Sequence, residues 1–418
     1  MDGSSPKCLR DSMRQALHQR EAKQTRRKLT IPPPTAVDFS SNDFLSLSTS
    51  PAFRARFLAH LNQAPPLYPL ASGGSRLLDG NSTSAEELED FIAAFHNAPA
   101  GLLFNSGYDA NVGVFSSIPQ PGDLIVYDEL IHASTHEGMR LSRAGKRVEF
   151  AHSSPEDLML VLQAETAADS LIREGRRNVF IAIESVYSMD GDVAPIAKFI
   201  DVVDSLLPRK NGYFIVDEAH ATGVFGPRGA GVVQQLGVED RMFIRLHTFG
   251  KALASHGAIV LCCPDTRDYL INYARSLIYT TALGFPFLAS IRAAYELLAE
   301  GKTEELQRKL AHLILYFRTR LDTLVSGSTT PSLSLEVDHF SNSPIFSLRS
   351  GVPRQLAGFC QAEGYTVRAI MAPTVPTGKE RVRVCLHAGN TVKEVDGLVG
   401  VIGVWLQQVE VEKKAARL

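Results

Sequence analysis

The feature that most constrains the fold of this chain is a series of short apolar runs, each ending in polar residues and leading into a helical pattern. The clearest runs lie at 102–104, 124–127, 179–183 and 213–216. Short continuous runs of this kind are typical of strands buried on both faces of a parallel sheet. Repeated strand-then-helix units therefore predict an α/β fold with a doubly wound, mainly parallel sheet, and a functional site at the carboxyl ends of its strands.

The chain has 418 residues, which suits one large domain and a smaller one. We predict an N-terminal arm over residues 1–50, a large domain over 51–285 and a smaller C-terminal α+β domain over 286–418. In the last of these, helical patterns at about 287–300 and 304–325 precede sparser strand patterns.

Composition excludes several classes of function. The formal net charge of −2 gives no electrostatic reason to expect a nucleic-acid partner. No apolar run approaches the roughly 20 residues of a membrane-spanning helix. Residues 7–29 carry apolar residues at Leu9, Met13 and Leu17, which predicts an amphipathic helix. Residues 1–28 are polar and basic without an apolar core, so we expect no secretory signal there. The five cysteines show no CxxC spacing, so we expect a reducing compartment and no metal site.

One acid and one lysine form the predicted centre of the site. Asp217 follows the apolar run 213–216, and Lys251 lies beyond it, just before the apolar run 258–261. An isolated lysine is most often a surface residue, so the prediction depends on the pair. Pyridoxal 5′-phosphate needs a lysine amine that bonds to its aldehyde and an acid that keeps its ring nitrogen protonated. Asp217 and Lys251 therefore predict a pyridoxal phosphate enzyme.

Six motifs in a fixed order resemble the α-oxoamine synthase family of fold-type-I pyridoxal phosphate enzymes, from about residue 8 to residue 408. They are Ser-Asn-Asp-Phe-Leu at 41–45, Ser-Gly-Gly-Ser-Arg at 72–76, Asn-Ser-Gly-Tyr-Asp-Ala-Asn at 105–111, Glu-Ser-Val-Tyr-Ser-Met-Asp-Gly-Asp at 184–192, Asp-Glu-Ala-His-Ala-Thr-Gly at 217–223 and Thr-Phe-Gly-Lys at 248–251. The resemblance implies a homodimer with its active site at the subunit interface.

The same resemblance implies an acyltransferase that joins an amino acid to an acyl-CoA and releases CoA and carbon dioxide. The similarity is greatest to the members of the biotin pathway, which implies L-alanine and pimeloyl-CoA as substrates. The alternative is a secondary-metabolic member of the family that uses a longer fatty or polyketide-derived acyl thioester.

The resemblance also implies roles for single residues around the cofactor. Backbone amides at a helix start favour a phosphate, and His132 would stack on the pyridine ring. Lys251, once free, would remove the α-proton, which requires a pKa lowered by burial and a nearby cation. The catalytic residues expected are Lys251, His132, Asp217 and His220. The cofactor-binding residues expected are Gly107, Tyr108, His132, Ser188, Asp217, His220, Thr248, Lys251 and, from the other subunit, Thr281.

Substrate-binding roles follow in the same way for Asn42 and Arg383. Arg383 lies two residues after Arg381, and from the sequence either could be a surface residue. Because a carboxylate favours a bidentate guanidinium, we expect one of the two to face the site. Ser75 stands where glycine-using relatives carry threonine, which predicts a preference for L-alanine over glycine.

Some positions depart from the family pattern and leave the acyl donor open. Met371 replaces an arginine common in biotin-pathway members, while Ala85 and Asn390 stand where histidines are usual. Either Arg27 or Arg26 of the arm binds the far-end carboxylate of the acyl chain, or the acyl tunnel is apolar throughout.

The last three residues, Ala416-Arg417-Leu418, are a conservative variant of the peroxisomal signal Ser-Lys-Leu. They predict a peroxisomal enzyme; if they are only a frayed helix end, we expect it in the cytoplasm. Asp217-Glu218-Ala219-His220 also matches a helicase box, but Glu296 stands where the required phosphate loop would need glycine.

Overall fold

The computed structural model describes residues 8–23, 25–326, 335–337 and 342–415. The chain forms two compact units, Met1–Ala36 and Val37–Leu418. In the first unit, helix α1 (Leu9–Ala22) is shorter than the predicted helical pattern and ends before the basic residues. Arg26 forms an ion pair of 2.8 Å with Glu21, and Arg27 is exposed.

Residues 37–50 belong to the second unit. Strand β1 (Val37–Asp38) pairs in parallel with Tyr365–Thr366 of this unit, and Phe39 and Phe44 are fully buried. The apolar residues of this segment therefore pack in a core, and the predicted bounds of the arm stay a prediction.

The larger unit contains helices and strands whose bounds are as follows. The helices are α2 (Pro51–Gln63), α3 (Thr83–Phe95), α4 (Gly107–Ser117), α5 (Ala133–Leu141), α6 (Pro155–Ala168), α7 (Ser170–Arg173), α8 (Ile196–Leu206), α9 (Val232–Leu236), α10 (Pro264–Tyr273), α11 (Arg275–Ile278), α12 (Phe285–Ala299), α13 (Glu304–Ser326), α14 (Pro353–Ala362) and α15 (Val392–Ala415). The strands are β2 (Ala100–Phe104), β3 (Leu124–Asp128), β4 (Lys146–Phe150), β5 (Val179–Glu184), β6 (Gly212–Asp217), β7 (Met242–Thr248), β8 (Ala258–Cys262), β9 (Glu336–Val337), β10 (Ile345–Arg349), β11 (Tyr365–Thr366), β12 (Arg368–Ile370) and β13 (Arg381–Cys385).

A seven-stranded sheet has the order β2–β8–β7–β6–β5–β3–β4. Strand β8 runs antiparallel to its neighbours β2 and β7, whereas all other pairs are parallel. Apolar clusters cover both faces, one with α6 and α8 and the other with α4 and α10. Each fully buried Leu, Ile or Phe there contributes about 1.5–3 kcal/mol. The predicted α/β fold with a mainly parallel sheet is confirmed.

The C-terminal part carries a second sheet of four antiparallel strands in the order β12–β13–β10–β9. One face of this sheet packs through Leu348, Val382 and Val384 into the core formed with helices α13 to α15. Two short strands follow each other here: Tyr365–Thr366 pairs with β1, and Arg368–Ile370 pairs with β13. The domain boundary predicted at 285/286 falls at the start of α12 and stays a prediction.

The start of α3 differs from the expected capping box at Ser84. The N-cap is Ser82, whose side chain accepts a hydrogen bond from the backbone amide of Ala85. In the described part of the chain, no helix is both long and apolar enough to span a membrane.

Candidate active site

A cavity of about 310 Å³ lies at the carboxyl ends of the central parallel strands. It is lined by Asn42, Ser106, Gly107, Tyr108, Asn111, His132, Ser134, Glu184, Asp217, Ala219, His220, Thr248, Gly250, Lys251, His256 and Gly257. Because parallel strands place their carboxyl ends along one edge, residues far apart in the sequence converge here.

Asp217 is the last residue of β6 and is held by two donors. Its Oδ2 accepts a hydrogen bond of 2.9 Å from Nδ2 of Asn111, and its Oδ1 accepts one of 2.9 Å from the backbone amide of Ala219. The Asn111 amide also donates to Oγ of Ser134, at 3.0 Å. These bonds fix the direction of the carboxylate toward the cavity.

Lys251 lies on the loop over residues 249–257, which joins β7 to β8. Burial lowers the pKa of this amine, and the charges of Asp217 and Glu184 oppose the shift. Burial disfavours the charged form of a lysine, so the amine loses its proton more readily than a solvent-exposed one.

His132 is the N-cap residue of α5 and is neutral near pH 7. Its Nδ1 accepts hydrogen bonds from Oγ of Ser134 at 2.7 Å and from the backbone amide of Ser134 at 3.2 Å. Burial, together with the charge of Lys251, lowers the pKa of this histidine. Because Nδ1 accepts, the ring proton lies on Nε2.

The start of α4 forms a cradle for an anion. Ser106 caps the helix, and the first backbone amides of the helix, at Gly107 and Tyr108, have no partner within it. A Cβ atom on Gly107 would lie 2.6 Å from Cγ2 of Thr248. Glycine is required at this position because Thr248 occupies the space that a side chain would need.

His220 contributes a buried polar atom that has no partner. Its Nδ1 makes no hydrogen bond to any residue the structure describes, and burial holds the pKa of the ring well below its usual range. The ring packs against Phe44 with centroids 5.9 Å apart. The acid at Asp217, the amine at Lys251, the amide cradle at Gly107 and this orphan nitrogen fit pyridoxal phosphate.

Arg383 and Arg381 lie on the same face of the C-terminal sheet but have different partners. Arg383 donates from Nε to the carbonyl oxygen of Ser188 at 2.7 Å and from Nη2 to Oδ1 of Asn42 at 2.9 Å. Arg381 is buried in an ion pair with Asp190. Since Asn42 lines the cavity, Arg383 is the arginine of the two that reaches the site.

Three of the predicted residues are not brought together with the others. Thr281 and Ser75 are not among the described residues that line the cavity. The side chain of Thr281 is exposed, and its carbonyl oxygen accepts a hydrogen bond of 2.8 Å from Asn105. Arg27 belongs to the first compact unit.

Asn111, Ser134 and Glu184 were not predicted as functional residues from the sequence. Glu184 ends β5 directly opposite Asp217, so the shared register of two buried parallel strands was an available signal. Asn111 lies one helical turn after Gly107, on the face of α4 that meets the sheet. Ser134 carried no signal that distinguishes it from a helix cap.

Comparisons with known proteins agree with this geometry. Residues 34–402 match the family model Aminotransferase class I and II. The protein is 78% identical over 416 residues, which is 100% of both chains, to the 8-amino-7-oxononanoate synthase of Emericella nidulans. It is 40% identical over 407 residues to the aminoacyl transferase sphA of Aspergillus fumigatus, covering 94% of this chain and 86% of that one.

Solved structures share the fold. A serine palmitoyltransferase variant from S. paucimobilis with bound pyridoxal phosphate superposes with a TM-score of 0.80 at 22% identity, covering 96% of this chain and 98% of that one. With these relatives and with Lys251 and Asp217 at the sheet edge, the chain belongs to the α-oxoamine synthases, the pyridoxal phosphate-dependent acyltransferases of aminotransferase class I and II.

Proposed function

We propose that this protein condenses L-alanine with pimeloyl-CoA to give 8-amino-7-oxononanoate, CoA and carbon dioxide, a step of biotin biosynthesis. The observation that carries the proposal is the 78% identity, over the full length of both chains, to an enzyme named for this product. The product has nine carbons with nitrogen on C8 and a ketone on C7. Dividing it between C7 and C8 leaves the two carbons that alanine keeps after decarboxylation and a seven-carbon acyl group that ends in a carboxylate.

The amino-acid substrate needs a cation for its carboxylate. Arg383 supplies it, since its guanidinium points to the cavity and is held there by oxygens of Asn42 and Ser188. Neither of these oxygens carries a charge, so the positive charge of Arg383 is available to a carboxylate.

Bound pyridoxal phosphate supplies an electron-withdrawing ring that stabilises negative charge on the α-carbon of the amino acid. Gly107, Tyr108 and Thr248 would hold its phosphate, while His132, Asp217 and His220 would hold its ring. The rigid hydrogen bonds of Asp217 keep the orientation of this carboxylate constant through a turnover.

Lys251 moves the proton in this scheme. Its neutral Nζ takes the α-proton of alanine, and burial favours this neutral form by lowering the pKa of the amine. A carbon–carbon bond then forms between the α-carbon and the thioester carbon while the carbon–sulfur bond breaks. Loss of carbon dioxide follows, and a proton takes the place of the carboxyl group.

The decisive experiment is release of CoA from pimeloyl-CoA and from heptanoyl-CoA, which has the same number of carbons and no charge at its end. We expect pimeloyl-CoA with L-alanine to have the highest kcat/KM in a panel that includes glycine, serine and long-chain acyl-CoAs. A preference for heptanoyl-CoA or a long chain would refute the proposal, as would a tenfold preference for glycine over alanine.

We further propose that the enzyme is a homodimer in which each subunit completes the site of the other. Exposed apolar side chains support this: Leu67, Leu70 and Leu78 on the segment 64–82, and Tyr279 just after α11. Ser75 lies on the first of these segments and Thr281 follows Tyr279. The two segments are joined by a hydrogen bond of 2.8 Å from Oγ of Ser72 to the carbonyl oxygen of Ala282.

Complementation tests the shared site. Lys251→Ala and Thr281→Ala dimers are each expected to have low activity, whereas mixed dimers should regain activity because one of their two sites then has both native residues. If mixing restores nothing, Thr281 does not act across the interface. Light scattering gives the mass of the assembly.

Delivery to the peroxisome is a separate proposal, supported by the tripeptide Ala416-Arg417-Leu418. These three residues lie outside the described part of the chain. A fluorescent protein fused ahead of the tripeptide should give a punctate signal that becomes diffuse when the tripeptide is deleted. A punctate signal that survives the deletion would contradict the proposal.

A further inference from the structure

Three strands of the C-terminal sheet place three polar side chains in one row. Arg383 of β13 lies directly opposite Arg368 of β12 on one side and opposite Ser347 of β10 on the other. Side chains of directly opposed residues project from the same face of an antiparallel sheet. Arg368 and Ser347 therefore share the face on which Arg383 reaches the cavity.

Two further arginines of this face are already paired. Arg381 and Arg349 both form ion pairs with Asp190, the latter at 3.5 Å. Arg383 contacts only neutral oxygens. The positive charge of Arg383 is therefore not neutralised by Asp190.

Arg368 and Ser347 differ from these residues because they have no partner in the described part of the chain. Arg368 is half-buried, and its side chain makes no hydrogen bond or ion pair with a described residue. Ser347 is only 1% exposed, and its Oγ also lacks a hydrogen-bond partner. A buried hydroxyl without a partner costs free energy unless a ligand satisfies it.

Like charges on directly opposed residues destabilise a sheet. Arg368 and Arg383 are such a pair, and no carboxylate of the described residues contacts either of them. An anion bound between or beside the two arginines would remove this repulsion. The arrangement therefore indicates a binding site for a ligand carboxylate next to Arg368 and Arg383.

We propose that Arg368 binds the far-end carboxylate of the acyl chain and thereby selects a dicarboxylic acyl-CoA; this inference rests on the proposed function. Arg383 serves the carboxylate of the amino acid, which leaves as carbon dioxide. A second guanidinium on that departing group would stabilise its charged form and oppose its loss. The carboxylate that survives the reaction is the one that a second arginine can hold without this cost.

This assignment also accounts for Met371. The sequence predicted a missing cation at that position, and Met371 lies three residues after Arg368, just beyond the end of β12. Arg368 supplies a guanidinium from the same short segment. Arg26 and Arg27 are then not required for recognition of the acyl chain.

The test compares Arg368→Gln and Arg368→Lys with the unmodified enzyme. Arg54→Gln is the control, since Arg54 is an exposed arginine on α2. For Arg368→Gln we expect kcat/KM with pimeloyl-CoA to fall roughly ten- to a hundredfold, the range for a lost charge-assisted hydrogen bond. With heptanoyl-CoA the value should stay unchanged, as should KM for L-alanine. Arg368→Lys should recover part of the loss, and Arg54→Gln should lose nothing.

A binding measurement supplements turnover. Free pimelate should inhibit the unmodified enzyme more strongly than heptanoate does, and Arg368→Gln should abolish this difference. Equal losses with both acyl-CoAs together with a raised KM for alanine would assign Arg368 to the amino-acid carboxylate and overturn the proposal. A variant that keeps its preference for pimeloyl-CoA and its inhibition by pimelate would overturn it as well.

Failure of the proposed function is a separate outcome, because it is read from the unmodified enzyme. If that enzyme prefers heptanoyl-CoA, the substrate assignment is wrong. Inhibition by pimelate then tests the role of Arg368 independently of turnover. Loss of pimelate binding in Arg368→Gln would still support a carboxylate site at this residue, and unchanged binding would refute it.

Discussion

Glu184 and Asp217 lie directly opposite each other at the carboxyl ends of the neighbouring parallel strands β5 and β6. Burial, and then the charge of Asp217, raise the pKa of Glu184 well above its ordinary value of 4.5. The carboxyl group of Glu184 therefore loses its proton less readily than that of an exposed glutamate. Asp217, whose two oxygens accept hydrogen bonds from Asn111 and from the Ala219 amide, is the acid that we expect to face the cofactor.

Substitution of the two acids should separate these roles. Glu184→Gln keeps the shape of a protonated glutamate, so we expect less than about a threefold change in kcat/KM. Asp217→Asn removes the charge that the site needs and should cost roughly a hundredfold or more. CoA release measures both, and similar losses in the two variants would contradict the assignment.

The same raised pKa gives a pH dependence of stability. Above about pH 4.5 the unfolded chain ionises Glu184 more readily than the folded protein does, so this residue lowers the free energy of unfolding as the pH rises through this range. Glu184→Gln lacks this effect. Chemical denaturation at pH 5 and pH 8 should therefore show the variant gaining stability relative to the unmodified protein at the higher pH.

Lys251→Ala should abolish measurable turnover while the protein still folds. General base catalysis alone contributes roughly 10²–10⁴-fold, and the lysine amine is also the group that anchors the cofactor. CoA release measures the loss, and circular dichroism together with retained cofactor fluorescence controls for folding. Undiminished activity would disprove the assignment of Lys251.

His152 should stabilise the fold mainly at neutral and acid pH. Burial lowers its pKa, but hydrogen bonds to Asp128 at 2.9 Å and Asp192 at 3.0 Å outweigh burial and raise the pKa to about 10. A raised pKa contributes stability that is fully present below the ordinary pKa of 6.5 and is lost as the pH rises through about 10.

His152→Gln should accordingly lower Tm by several degrees at pH 6 and by less at pH 9.5. Thermal denaturation at the two pH values measures the difference, with His312→Gln, an exposed histidine of α13, as the control. A loss of Tm that does not depend on pH would show that His152 acts without its charge.

Gly107→Ala should weaken retention of the cofactor, because the added Cβ would lie 2.6 Å from Cγ2 of Thr248. Crowding of this kind costs about 1–3 kcal/mol, or roughly five- to a hundredfold in affinity. Adding Thr248→Ser removes Cγ2, keeps the hydroxyl and should restore retention. Equilibrium dialysis measures it; no rescue in the double variant would mean that the glycine serves another purpose.

The sequence was sufficient for the parts of the fold that are uniformly apolar. Strands β3, β5 and β6 are buried on both faces, so their residues form continuous apolar runs. Strand β7 escaped recognition because Arg245 and His247 interrupt its pattern, although they are only 3% and 0% exposed. Buried polar residues of this kind cannot be distinguished from surface residues by periodicity.

The residues of the site also differ in how far the sequence could predict them. Asp217 and Lys251 could be paired from sequence because Asp217 follows one apolar run directly and Lys251 lies shortly before another. The choice between Arg381 and Arg383 could not be made, since alternate residues of a strand project to one face. Asp190, which comes from a distant loop, makes that choice by binding Arg381. Arg368 was overlooked because only the register of β12 and β13 places it beside Arg383.

The reversed direction of β8 has a consequence for how Lys251 works. Because β7 and β8 are antiparallel neighbours, the loop between them leaves the sheet and returns to it at the same edge. A hydrogen bond of 3.0 Å from the Phe249 amide to the Gly257 carbonyl joins the two ends of this loop. A crossover to a parallel strand would instead have to carry the chain to the opposite edge of the sheet. Because both ends of the loop are held at this edge, the free amine of Lys251 stays beside the substrate at a high effective molarity. The amine can therefore bond to the cofactor again after each cycle without a large movement.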